Sequence, residues 1–133
     1  MRLGLLLVVV ACLIASCSGD DGSGASESAA DAAAEVVGEE LFNERVLGSN
    51  PGCITCHSLD EGVTLVGPSL ADIASRAAVT VPGLSAADYV RTSITDPDSF
   101  VVDGFAVGQM PGGWDETLSD RQIDSLVDFL LGS

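Results

Sequence analysis

The chain has 133 residues and contains 20 acidic side chains, five arginines and no lysine, for a formal net charge of −15. This length fits one small domain. The charge argues against nucleic acid as a partner, because phosphate binding needs clustered cations. An acidic surface favours either solubility or the steering of a basic partner, and the charge alone does not decide between them.

The N-terminus has the pattern of an export signal. Arg2 precedes an uncharged apolar stretch, Leu3 to Ala15, that is shorter than the ~20 residues a spanning helix needs. It ends in Leu13-Ile14-Ala15-Ser16-Cys17, which resembles the bacterial lipobox, whose cysteine receives a diacylglyceryl chain. We expect residues 1–16 to be a lipoprotein-type signal peptide and Cys17 to be lipidated. The protein would then be extracytoplasmic and anchored to a membrane, with secretion without lipid as the alternative.

Residues 17–33 are predicted to be a flexible tether, because small and polar residues dominate and cannot offset the entropy of ordering. Residues 34–133 are predicted to form the single folded domain. A first helix is expected from about Ala32 to Leu47, where apolar residues recur at helical intervals. Gly38 within it indicates either a close crossing by another helix or a tolerated surface glycine.

Three more helices are predicted along the chain. The first covers residues 69–78, the second follows the N-cap Ser85 and ends at Asp96-Pro97, and the last follows a capping box at Ser119 and ends at Gly132. Residues 98–116 lack a sustained period and are predicted to be a long functional loop. No stretch predicts a convincing strand, so the expected fold class is all-α.

Cys53-Ile54-Thr55-Cys56-His57 is the C-x-x-C-H motif of c-type haem attachment. Cys53 and Cys56 are spaced to reach the two vinyl groups of a porphyrin, while His57 places its imidazole under the iron. A zinc site would need four ligands, a thioredoxin-like pair would need a βαβ context, and a disulfide across two residues would be strained. The motif therefore predicts one covalent haem c.

The second axial ligand is expected to be Met110. His57 is the only histidine, and Met110 is the only methionine once Met1 is lost with the signal peptide. Met110 lies in the glycine-rich loop, and the alternative is that it fills a gap in the core. A thioether ligand raises the reduction potential of haem iron.

These residues resemble the class I cytochrome c family over about Ala34 to Leu131. The features that carry the resemblance are Gly38 with Phe42, the C-x-x-C-H motif, Gly67-Pro68-Ser69-Leu70, Met110-Pro111 and the final helix with Phe129. The resemblance implies the cytochrome c fold, in which the first and last helices cross at the glycine and the aromatic residue. It also implies that the Pro68 carbonyl accepts the Nδ1 hydrogen of His57.

The expected function is single-electron transfer within a respiratory chain, without catalysis, because two axial ligands leave iron no open position. Redox proteins, expected to carry a basic docking surface, would be the partners, although the lysine ring usual in the family is missing here. Arg76, Arg91 and Trp114 are candidates to meet the haem propionates. The alternatives are a haem subunit of an oxidoreductase complex, or a gas-binding sensor.

Overall fold

The computed structural model describes residues 37–132, so the expected signal peptide, Cys17 and the tether lie outside the described residues. The helices are α1 (Gly38–Asn43), α2 (Ile73–Thr80), α3 (Ala86–Thr95), α4 (Trp114–Thr117) and α5 (Asp120–Leu131). A 3₁₀ turn covers Cys53–Thr55. The all-α fold class is confirmed, and no helix within residues 37–132 is long and apolar enough to cross a membrane.

Helix α1 is shorter than predicted at its C-terminal end. It ends at Asn43, and the predicted continuation to Leu47 is wrong, because Val46–Leu47 forms a short antiparallel ribbon with Asn50–Pro51. The ribbon buries Leu47 and leaves Val46 64% exposed. The expectation that the chain has no strand is corrected by this two-residue pairing, which turns the chain toward the cysteine motif.

The crossing of α1 and α5 confirms the close approach that Gly38 indicated. A Cβ atom added to Gly38 would lie 1.9 Å from the Ser125 carbonyl oxygen and 2.8 Å from Cβ of Phe129. The rings of Phe42 and Phe129 pack with their centroids 5.7 Å apart. Only glycine lets the two backbones approach this closely, so the surface alternative is wrong.

Local signals place α3 and α5 correctly. The Ser85 side chain accepts a hydrogen bond from the Asp88 backbone at the start of α3, and Ser119 and Gln122 form the predicted capping box of α5. Helix α2 begins at Ile73 instead of residue 69, since Asp72 takes a left-handed conformation with φ of 56°. The long loop is present, and it ends in the one-turn helix α4.

The buried core lies where α1, α3 and α5 meet. Its residues are mostly aliphatic and aromatic: Leu41, Phe42, Leu47, Ile73, Ala77, Tyr89, Val90, Trp114, Leu118, Ile123, Leu126 and Val127. No polar or charged residue is buried among the described residues. Several core side chains also form the floor of a cleft that opens beside the cysteine motif.

Candidate functional site

The predicted haem-attachment residues, the two predicted iron ligands and Pro68 all line one cleft. Cys53, Cys56, His57, Pro68 and Met110 contribute to its walls, although Met110 is 53 residues beyond His57 in the sequence. The space not filled by protein atoms is about 1330 Å³, which includes a part open to solvent. Mostly apolar side chains surround it, as a large planar apolar cofactor requires.

The cysteine motif is held as a tight turn at the edge of the cleft. Gly52 precedes it in an extended conformation, and the backbone N–H groups of Cys56 and His57 donate to the Cys53 carbonyl at 3.1 and 2.9 Å. Both cysteines are free thiols and half-buried. Burial raises the pKa of the Cys53 thiol. The turn therefore presents two sulfur atoms and the following imidazole to the same cleft.

The His57 imidazole is oriented by the backbone of Pro68. Its Nδ1 atom lies 2.9 Å from the Pro68 carbonyl oxygen, and a carbonyl can only accept, so Nδ1 carries the hydrogen. Nε2 is then left with a lone pair. Burial lowers the pKa of His57, and the bond to Pro68 offsets this only in part. The ring is therefore neutral and ready to coordinate a metal ion through Nε2.

The backbone from Gly67 to Leu70 is hydrogen-bonded to the residues immediately before and after His57. The Gly67 N–H donates to the Cys56 carbonyl and the Leu70 N–H donates to the Ser58 carbonyl, each at 2.8 Å. A Cβ atom added to Gly67 would lie 2.6 Å from Cε1 of His57. The steric role of Gly67 is a functional feature that sequence reasoning missed, because nothing local shows what packs on a glycine ten residues away.

Met110 is half-buried against the core, and its neighbours fix the loop that carries it. Gln109 donates through Nε2 to the Val66 carbonyl at 2.6 Å. Asp98 accepts from the Gly108 N–H at 2.7 Å. The loop is thus held to the segment beside His57 and to the chain that follows α3. Gln109 also went unnoticed in the sequence, where it is one polar residue in a loop.

The three candidates for propionate binding have different surroundings in the structure. Trp114 is 3% exposed and lines the cleft, and its buried indole N–H has no hydrogen-bond partner within residues 37–132. Arg76 lines the cleft and donates to the carbonyls of Ser69 and Ala71. Arg91 is paired with Asp124 and is not among the cleft-lining residues.

An unpaired buried N–H costs about 1–3 kcal/mol. A bound group that brings an acceptor oxygen to Trp114 would recover that cost. The cleft offers a neutral imidazole, two thiols and a thioether between apolar walls. These are the groups that a c-type haem uses for iron ligation and for covalent attachment. The residues present therefore fit haem c.

A mostly helical domain with these residues around one cleft fits the class of proteins that bind a c-type haem. The sequence profile of the family described as cytochrome c matches residues 36–133, which is most of the chain. The chain belongs to the cytochrome c family. Its cofactor is covalent haem c, and redox proteins are its partners. No curated protein matches the chain.

Proposed function

We propose that Cys53 and Cys56 attach the haem through thioether bonds and that His57 and Met110 are the axial ligands. The observation that carries this proposal is the convergence of all four side chains on one cleft. The hydrogen bond from His57 Nδ1 to Pro68 supports it further, because that bond aims a neutral Nε2 lone pair away from the backbone.

Bound haem supplies a one-electron iron couple. The residues of the chain hold, orient and shield it. His57 and Met110 would both hold the iron and would leave it no open position for a substrate, so the chain would act as a carrier. Tyr89 and Phe100, whose ring centroids are 6.0 Å apart, exclude water from one part of the cleft. The indole N–H of Trp114 would donate to a propionate, and Arg76, which lines the same cleft, would balance the propionate charge.

We infer that the carrier works outside the cytoplasm, tied to a membrane through a lipid on Cys17. The support is the short apolar stretch before Cys17 and the small-residue pattern that ends there. A cysteine with two or more acyl chains binds membranes stably, whereas one chain binds only marginally. Residues 17–33 would let the domain turn toward different partners while it stays at the surface.

The proposed role is electron delivery within a respiratory chain, to or from proteins with a basic docking surface. Of the arginines in residues 37–132, Arg91 is paired with Asp124 and Arg76 donates to backbone carbonyls, so two of the few cations are already engaged. The acids are spread over the exposed surface, and one of them, Asp98, lines the cleft. This charge favours steering by an oppositely charged partner.

Replacement of the distal ligand tests the proposed site. Met110→Ala should lower the reduction potential and should let cyanide or carbon monoxide bind the iron, because the thioether favours Fe(II) and blocks the axial position. The measurement is a redox titration with optical spectra of the variant and the wild type. An unchanged potential and spectrum would disprove the assignment of Met110. An iron that binds gas with Met110 still in place would favour the sensor.

A further inference from the structure

Gln109 forms a bridge between two walls of the cleft. Its Nε2 atom donates to the Val66 carbonyl at 2.6 Å, across 43 residues of sequence, and its Oε1 atom accepts from the Ala106 N–H at 3.1 Å. Both ends of the amide are therefore engaged. The bond to Oε1 stabilises the loop before Met110, and the bond from Nε2 links that loop to the opposite side of the cleft mouth.

The partner of this bridge belongs to the segment that positions His57. Val66 directly precedes Gly67, whose N–H donates to the Cys56 carbonyl, and Pro68, whose carbonyl accepts from His57. The bond from Gln109 thus links the backbone around one axial side chain to the residue beside the other. Because Gln109 directly precedes Met110, a displacement of Met110 away from the cleft would have to break this bond.

We propose that Gln109 is a positioning residue that keeps the Met110 segment closed over the haem, so that it limits how fast external ligands reach the iron. This inference rests on the proposed ligation by Met110. Loss of the Nε2 donor leaves Asp98, which accepts from Gly108, as an anchor on the other side of the loop. The segment then opens more often, while the fold stays intact because Gln109 is exposed.

Two substitutions separate the donor from the acceptor of Gln109. Gln109→Leu removes both. Gln109→Glu keeps an oxygen for the Ala106 N–H and places a second oxygen, which cannot donate, near the Val66 carbonyl. Gln122→Glu is the matched charge control, since Gln122 lies in the capping box of α5 and a glutamate also serves there. None of the three residues introduced is a strong ligand for haem iron.

The assay is the rate at which cyanide binds the ferric holoprotein, measured at saturating cyanide, where dissociation of the axial thioether limits the reaction. We expect Gln109→Leu and Gln109→Glu to bind cyanide roughly two- to tenfold faster than the wild type, the factor that corresponds to one net hydrogen bond. The far-red absorption band of the iron–thioether bond should weaken in both. Gln122→Glu should match the wild type in rate and band.

The outcomes distinguish this inference from the proposed ligation. If Met110→Ala accelerates cyanide binding but both Gln109 variants bind at the wild-type rate, the bridge does not hold the segment and the inference is overturned. If the wild type lacks the far-red band and Met110→Ala leaves the rate unchanged, Met110 is not an iron ligand. The inference about Gln109, which depends on that ligation, is then also overturned. A thermal unfolding midpoint that drops with no change in cyanide rate would assign Gln109 a merely structural role.

Discussion

Gly67→Ala places a methyl group against the imidazole of His57. The added Cβ atom would lie 2.6 Å from Cε1, 2.9 Å from Nδ1 and 3.0 Å from Nε2 of the ring. Carbon atoms in favourable contact are about 3.5–4.0 Å apart, so the ring or the backbone has to move by about 1 Å. Gly67 is not among the positive-φ glycines, so the effect is steric and not conformational.

The ring has little freedom to move away. Its Nδ1 atom is bonded to the Pro68 carbonyl at 2.9 Å, and the Gly67 N–H is bonded to the Cys56 carbonyl at 2.8 Å. Overpacking costs roughly 1–3 kcal/mol, and loss of the bond to Pro68 adds about 1 kcal/mol. We therefore expect Gly67→Ala to lower the free energy of unfolding by about 2–4 kcal/mol. We also expect part of the ferric iron to become high-spin, because the imidazole is displaced.

The assay is guanidinium unfolding of the holoprotein, with the optical spectrum recorded on the same samples. Gly112→Ala is the matched control, because its added Cβ atom meets no heavy atom within 4 Å and its φ lies outside the left-handed region. That control measures the gain from restricting the unfolded chain, about 0.4–1 kcal/mol. If both variants unfold at the same denaturant concentration with the same spectrum, Gly67 does not confine His57 and the reasoning is refuted.

Three further predictions concern the fold, the anchor and the partner. Gly38→Ala should lower the free energy of unfolding by about 3 kcal/mol or more, as its Cβ would lie 1.9 Å from the Ser125 carbonyl oxygen, and unchanged unfolding would contradict the crossing. Cys17→Ser should release a soluble cytochrome on cell fractionation, whereas its retention in membranes would favour an uncleaved helix. Electron transfer to the partner should slow as salt rises, because screening acts beyond ~10 Å at moderate ionic strength. The rate is measured by stopped flow over a series of salt concentrations, with a cationic redox reagent as the control. If the rate with the partner does not change while the rate with the cationic reagent falls, the acids only keep the surface solvated and do not steer docking.

The features that sequence alone predicted are those set by neighbouring residues. The caps Ser85 and Ser119 bond to backbone groups three residues away, so α3 and α5 begin where their sequences indicate. The C-x-x-C-H motif has fixed spacing and chemistry, and it led to the right family before any contact was known. The lipidation of Cys17 and the roles of the individual haem residues stay predictions.

Tertiary structure decided what depends on residues far apart in the chain. The apolar period of the first helix continues through Leu47 in the sequence. In the structure, Val46–Leu47 instead pairs with Asn50–Pro51 in a short ribbon that turns the chain toward the cleft. A glycine shows only the absence of a side chain, so the sequence could not say that Gly67 faces His57. The bond from Gln109 to Val66 spans 43 residues, and no local period encodes it. Local rules determine where helices start, whereas packing determines which backbone atoms meet around the haem.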